Sequence, residues 1–257
     1  MQLRETITLS GQTFNKPLPR PAEELVELFA KNGFKFENLG DETLLLNEIY
    51  SLERFSKFKK LIAENGLKIK IYHSIWTVYE DKDYEQNPLW TLLFPEIRID
   101  GVDFERKCNT CKKNTVVIDS KKRVHQVKSK KPIVTVNGQF TIVKKGLKIK
   151  MDSELSGTYF EPFDECGEYF HLLAKSSLGD LINTPDDFVE YGGICKECNL
   201  PVFKMFFSAL KYSKKNWNGD DIVSGTYYEG VFFTEKAYKL LKSVEKEVSR
   251  YGVAILK

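Results

Sequence analysis

Two short stretches, "CNTC" from Cys108 to Cys111 and "CKEC" from Cys195 to Cys198, constrain this chain more than anything else in its 257 residues. A C-x-x-C pair lets one tight turn aim two sulfurs at a point about 2.3 Å from a zinc ion, and two pairs complete a tetrahedron. Eighty-three residues lie between Cys111 and Cys195. Loop closure grows only logarithmically with length, to on the order of 4 kcal/mol here, against roughly 10–16 kcal/mol for structural zinc in small peptides. One ion can therefore join both pairs. Cys108, Cys111, Cys195 and Cys198 are the expected ligands of a structural Zn2+, and four protein ligands leave no position open for water.

Other thiol chemistries use the same residues. Disulfides need an oxidising compartment, and the N-terminus "MQLRETITLSGQTF" lacks the apolar core of a secretory signal, so the cytoplasm is the expected location. An iron–sulfur cluster takes the same four ligands, and a redox C-x-x-C remains a third alternative. Lys107, Lys112, Lys113 and Lys196 crowd the pairs, and nearby positive charge favours thiolates. Cys166 is left over in "FDECGEYFH", where a lone cysteine among aromatics reads as buried. His73, His125 and His171 could replace a ligand, less economically than the cysteines, and receive no role.

The rest of the chain reads as α+β. Hydrophobic residues make up 42 % and aromatics 13 %, enough to bury a core without disulfide scaffolding. No run approaches the roughly 20 apolar residues of a membrane span. "PAEELVELFAKNG" and "SLERFSKFKKLIAENG" have helical spacing, with Pro21 and Ser51 at their starts and Gly33 and Gly66 at their ends. "LKIKIYHSIWTV" alternates as a strand. "TVVI", "PIVTV", "FTIV" and "LKIKM" read as short strands of an antiparallel sheet, with Asn137-Gly138 as the hairpin signal. "LPVFKMFFSALKYS" fits strand or helix. "TEKAYKLLKSVEKEVSRYG" reads as one helix from an N-cap at Thr234 to a stop at Gly252, followed by the strand "VAIL". The expected division is an N-terminal α/β region, 1–100, and a split, zinc-ribbon-like region, 101–257, with a β insertion over about 112–194 and a C-terminal helix.

Net charge of +3 hides an uneven distribution: residues 106–150 hold fourteen Lys or Arg against one acid, Asp119, and residues 151–190 hold ten acids against Lys175. The basic segment 106–150 beside a zinc ribbon offers a nucleic-acid reading. Phe140 is the only aromatic between Lys112 and Lys150, whereas single-strand binders interleave aromatics with their charges, and the acidic block can neutralise the patch within the fold. No phosphate loop, nucleophile elbow, H-E-x-x-H helix or deaminase H-x-E occurs, so an enzyme is not expected.

Two C-x-x-C pairs several tens of residues apart, together with "WNGDDIVSGTYYEGVFFTEKAYKLL" near the end, give the chain a resemblance to the bacterial double-CxxCG motif proteins, relatives of polymorphic-toxin immunity proteins. Trp217, Asp220, the "FFT" of Phe232 to Thr234 and the helix after it are similar to the tail of that family. "YEQNPLW" is a fainter likeness. Lys112 and Asn199 stand where the family has a glycine after each second cysteine. The resemblance implies a non-enzymatic, protein-binding immunity protein that neutralises a cognate toxin, a toxin–antitoxin role. A DNA- or RNA-binding ribbon is the alternative.

Overall fold

In the computed structural model, which describes residues 2–10, 17–40, 43–99, 105–106, 108–111, 114–115, 124–138, 140–189, 192–197, 202, 205–206, 209–226 and 228–257, the chain divides into two units, Met1–Val78 and Tyr79–Lys257. The class is α+β, as expected. The boundary lies between residues 78 and 79, not at 100, because "LWTLL" is the middle strand of a sheet completed only by the C-terminal 50 residues or so.

The first unit runs β1 (Gln2–Ser10), α1 (Ala22–Lys31), β2 (Glu37–Asn38), β3 (Leu44–Ile49), α2 (Leu52–Glu64) and β4 (Lys70–Val78). Its sheet has the order β2-β3-β1-β4, antiparallel throughout. Alternation puts Glu5, Ile7 and Leu9 of β1 on one face, opposite Glu48, Leu46 and Leu44 of β3, with His73 of β4 opposite Ile7. α2 forms because Phe55, Phe58 and Ile62 repeat at three and four residues and are all buried. Its first turn is closed by the Ser51 hydroxyl, which accepts from the Arg54 amide at 3.3 Å. The ring of Phe55 stacks on His73 at 3.8 Å between centroids, which places α2 over the Glu5 face of the sheet.

The second unit begins with α3 (Asp81–Gln86), β5 (Leu89–Leu93), β6 (Glu96–Ile97), β7 (Glu105–Arg106), β8 (Asn114–Thr115), β9 (Ile133–Val136), β10 (Phe140–Lys144) and α4 (Lys145–Glu154). It continues through β11 (Thr158–Pro162), β12 (Tyr169–Ala174), β13 (Phe188–Val189), β14 (Met205–Phe206), β15 (Leu210–Tyr212), β16 (Ile222–Gly225), β17 (Tyr228–Phe233), α5 (Glu235–Val244) and β18 (Ser249–Leu256). Two five-stranded sheets result, β11-β12-β10-β9-β6 and β15-β18-β5-β17-β16, with the two-stranded ribbons β7-β8 and β13-β14. Trp90 and Leu92 of β5, Val143 of β10, Leu172 of β12, Phe233 of β17 and Leu241 of α5 meet in one core that joins both sheets. Val134, Val136 and Ile142 point the other way into a second cluster, and Leu89, Phe232 and Ala254 into a third. Strands buried on both faces explain why "IVTV" and "VFF" read as apolar runs without alternation.

Asn137 and Gly138 both have positive φ, 50° and 71°, the turn that matches strand twist in a two-residue hairpin. Asn137 also reaches beyond its own hairpin: its side chain accepts from the Ile99 amide at 2.9 Å and donates to the Ile99 carbonyl at 3.0 Å. Replacing it by Ala removes both bonds and leaves a left-handed residue with a Cβ, so Asn137→Ala is expected to lower stability by about 2 kcal/mol in urea unfolding.

Three expectations change. "LKIKM" is part of helix α4, not a strand: Leu147 and Met151, four apart, are buried while Ile149 between them is 60 % exposed. A Leu-x-Ile-x-Met alternation mimics a strand, but its buried pair fits helical spacing equally well. The C-terminal helix stops at Val244, and Ser249–Leu256 is strand throughout, because this segment pairs with β5 on one side and β15 on the other. Gly252 sits inside that strand, beside a register shift, and not at a helix end. "LPVFKMFFSALKYS" resolves into strands at Met205–Phe206 and Leu210–Tyr212, and Val116–Ile118 lie outside the described residues. No helix among the described residues is long and apolar enough to cross a membrane.

Candidate metal centre

Cys108 and Cys111 sit in one loop and Cys195 in another, each closed by a short β ribbon. β7 and β8 pair antiparallel, Glu105 opposite Thr115 and Arg106 opposite Asn114, so residues 108–111 lie in the loop between them. β13 and β14 pair Phe188 with Phe206 and Val189 with Met205. Above that ribbon Gly192 donates to the Val202 carbonyl at 2.8 Å and Val202 to the Gly193 carbonyl at 2.9 Å, narrowing the loop that holds Cys195.

The two loops meet. The sulfurs of Cys108, Cys111 and Cys195 all lie within 4.8 Å of one another, with 3.5 Å between Cys108 and Cys195. A disulfide requires about 2.05 Å, so the 3.5 Å between the Cys108 and Cys195 sulfurs is not one. Tetrahedral coordination at a Zn–S distance of about 2.3 Å sets sulfurs about 3.8 Å apart, so the donor set fits a thiolate-ligated ion. Cys198, the fourth expected ligand, lies outside the described residues, as do Lys112 and Asn199. Three cysteines from loops 84 or more residues apart in sequence can thus hold one metal ion.

Cys108 and Cys195 are 1 % and 4 % exposed, and Cys111 is partly exposed. The Cys111 amide donates to the Cys108 sulfur at 3.3 Å, a bond that favours the thiolate. Burial and the thiol contacts of Cys111 and Cys195 act the other way, and the net direction for the Cys108 thiol is upward. Stacking sulfurs this closely without a cation is unfavourable for thiolates; a cation reverses the sign.

One partner of the centre gives no signal in the sequence. Glu197, inside the second pair, accepts from the Asn109 amide at 3.2 Å, the Thr110 amide at 3.0 Å and the Thr110 hydroxyl at 2.7 Å, all inside the first pair. The Thr110 hydroxyl, then the two amides, hold its carboxyl below the ordinary carboxylate range. Such a contact joins residues 87 and 88 apart, so no local pattern announces it.

The remaining candidates fall elsewhere. His73 lies in the first unit on Glu5, 2.7 Å away. His125 contacts Glu165 at 2.9 Å. His171 packs its ring edge-on to Phe140, and burial pushes its pKa down to about 4. None of the three joins the cysteine cluster. Cys166 is exposed, not buried as its aromatic neighbours suggest, because the turn from Asp164 to Gly167 carries it outward; its thiol donates to the His125 carbonyl at 3.2 Å.

The tail residues are structural. The Trp217 indole donates to the Asp220 carbonyl, and Asp220 accepts from Ser176 at 2.6 Å. Its neighbour Asp221, 8 % exposed, accepts from the Ser156 amide, the Thr234 hydroxyl and Lys236. Thr234 in turn caps α5 through the Ala237 amide. Within the basic segment Lys131 pairs with Glu245 and Glu247, and Lys148 with Asp152. Neither the protein-family models nor the curated proteins compared with the chain give a match.

Proposed function

We infer that the chain binds one structural Zn2+ through Cys108, Cys111, Cys195 and Cys198, and works by binding another protein, as an immunity protein that neutralises a cognate bacterial toxin. The observation that carries the metal half is the convergence of three sulfurs from two ribbon loops. Soft thiolates select zinc over hard cations, and a site whose described cysteines are two buried and one partly exposed serves architecture. The ion clamps the points where the chain leaves and re-enters between the two pairs. The partner half rests on the double-CxxCG resemblance. Its tail residues form a partly buried hydrogen-bonded hub, which supports reading the shared motif as scaffold and leaves recognition to the surface. Internal pairing of Lys131 and Lys148 reduces the charge available to nucleic acid.

Metal analysis of reduced protein, purified without chelator, is expected to find one zinc per chain, lost in Cys108→Ser and Cys195→Ser. Co-expression with the toxin encoded beside it is expected to restore growth. Metal-free wild-type protein would remove the first half, and growth arrest despite co-expression the second.

A further inference from the structure

We propose that Glu197 is a positioning residue of the metal centre: a latch that holds the two cysteine loops in ligating geometry without itself touching the ion. The proposal rests on the metal-binding reading above and goes one step further, to what assembles the site. Two cysteine loops from distant parts of the chain must be brought together before three sulfurs can converge, and an ion alone would have to supply all the ordering free energy. Glu197 supplies a contact that needs no metal.

Its carboxylate sits across from the backbone of the first loop and takes both amides that point out of the turn, Asn109 and Thr110, plus the Thr110 hydroxyl. The third amide, that of Cys111, turns inward onto the Cys108 sulfur. The Thr110 amide also acts on the Cys108 sulfur, so one turn serves both the ligand and the opposing loop. A charged acceptor bridging two amides is among the stronger hydrogen-bond arrangements, and it fixes the orientation of the turn that aims Cys108 and Cys111. Each Glu197 oxygen takes at least one of these donors, and the carboxyl also lies within hydrogen-bonding reach of the Cys108 thiol, beside a ligand. Groups that orient ligands in this way typically change metal affinity 10–100-fold when removed.

Co2+ titrated into the reduced full-length chain, in competition with a chromophoric chelator, reads both affinity and ligand set. Glu197→Ala is expected to bind Co2+ 10–100-fold more weakly, with the sulfur-to-cobalt charge-transfer band of the saturated protein unchanged in intensity. Glu197→Gln keeps one acceptor oxygen and is expected to fall between. Cys195→Ser, by contrast, should lose band intensity. If Glu197→Ala disturbs the apo fold by circular dichroism, Thr110→Val, which deletes only the hydroxyl donor, decides the matter through a severalfold weakening. Equal affinities in wild type, Glu197→Ala and Thr110→Val overturn the latch. Changed d–d bands of the saturated protein in Glu197→Ala overturn it too, because Glu197 would then be a ligand. A wild-type chain that binds no Co2+ removes the metal reading itself, a separate outcome.

Discussion

Gly157→Ala is expected to destabilise the second unit by about 3–5 kcal/mol. Gly157 has φ of +77°, and a Cβ built on it would lie 2.3 Å from the Ile222 carbonyl oxygen and 2.7 Å from the Asp220 Cβ. Neither neighbour is a flexible side-chain tip. The left-handed conformation alone costs a residue with a Cβ about 1–2 kcal/mol, and the clash falls on the backbone of β16. That backbone cannot withdraw freely, because Ile222 donates to the Ser156 carbonyl and the Ser156 amide donates to Asp221. Moving β16 away therefore breaks the same contacts that Asp221 makes to Thr234 and Lys236 at the start of α5. At 2–4 °C per kcal/mol for a domain of this size, the melting temperature should fall by roughly 10 °C. Gly146→Ala is the matched control: it lies in α4 with open space around the added Cβ, and is expected to be neutral or stabilising by up to about 1 kcal/mol. Similar melting temperatures for the two variants would contradict the steric argument.

Gly157 also shows where the sequence stops being legible. Features determined within a few residues could be read: the Ser51 cap of α2, the Asn137-Gly138 turn and the C-x-x-C spacing that sets the Cys108 and Cys111 sulfurs side by side all appear where their local chemistry demands. Features determined by a distant partner could not. "LKIKM" has a strand's alternation, and only packing of Leu147 and Met151 into the core shared by both sheets makes it helical. The segment after Val244 continues a helical spacing, yet pairing with β5 and β15 makes it strand. The unit boundary was misplaced for the same reason, since nothing local in "LWTLL" says that its partners lie at Tyr228–Phe233 and Ser249–Leu256. At the candidate metal centre the cysteines have a spacing that carries chemistry, whereas Glu197 is one acid among 36 acidic residues until the two loops are seen together.

The first unit should lose stability as pH rises towards 7, and Glu5→Gln should remove most of that loss. Glu5 is 1 % exposed on β1, directly opposite Glu48 on β3, with His73 of β4 at 2.7 Å and Arg54 of α2 paired to Glu48. Burial first, then the Glu48 charge, push the Glu5 pKa up from 4.5 to about 7; Arg54 and the Ser51 amide pull the other way without prevailing. Glu48 is raised as well, by burial, against the attraction of Arg54. With the folded pKa above the unfolded one, the fold binds the extra proton between these values. Its stabilisation is complete below about 4.5 and is lost as pH climbs through about 7. The difference corresponds to about 3 kcal/mol. Loss of that proton leaves a buried carboxylate facing a second one. Glu5→Gln keeps the shape and a donor for His73 but carries no titrating proton. In urea titrations of the full chain between about pH 5 and 8.5, the wild-type midpoint is expected to fall relative to the variant, with the variant more stable by about 3 kcal/mol at the alkaline end. Parallel curves across that range would show that the acid is ionised throughout, held by Arg54 and His73 as a buried ion network instead of as a protonated pair.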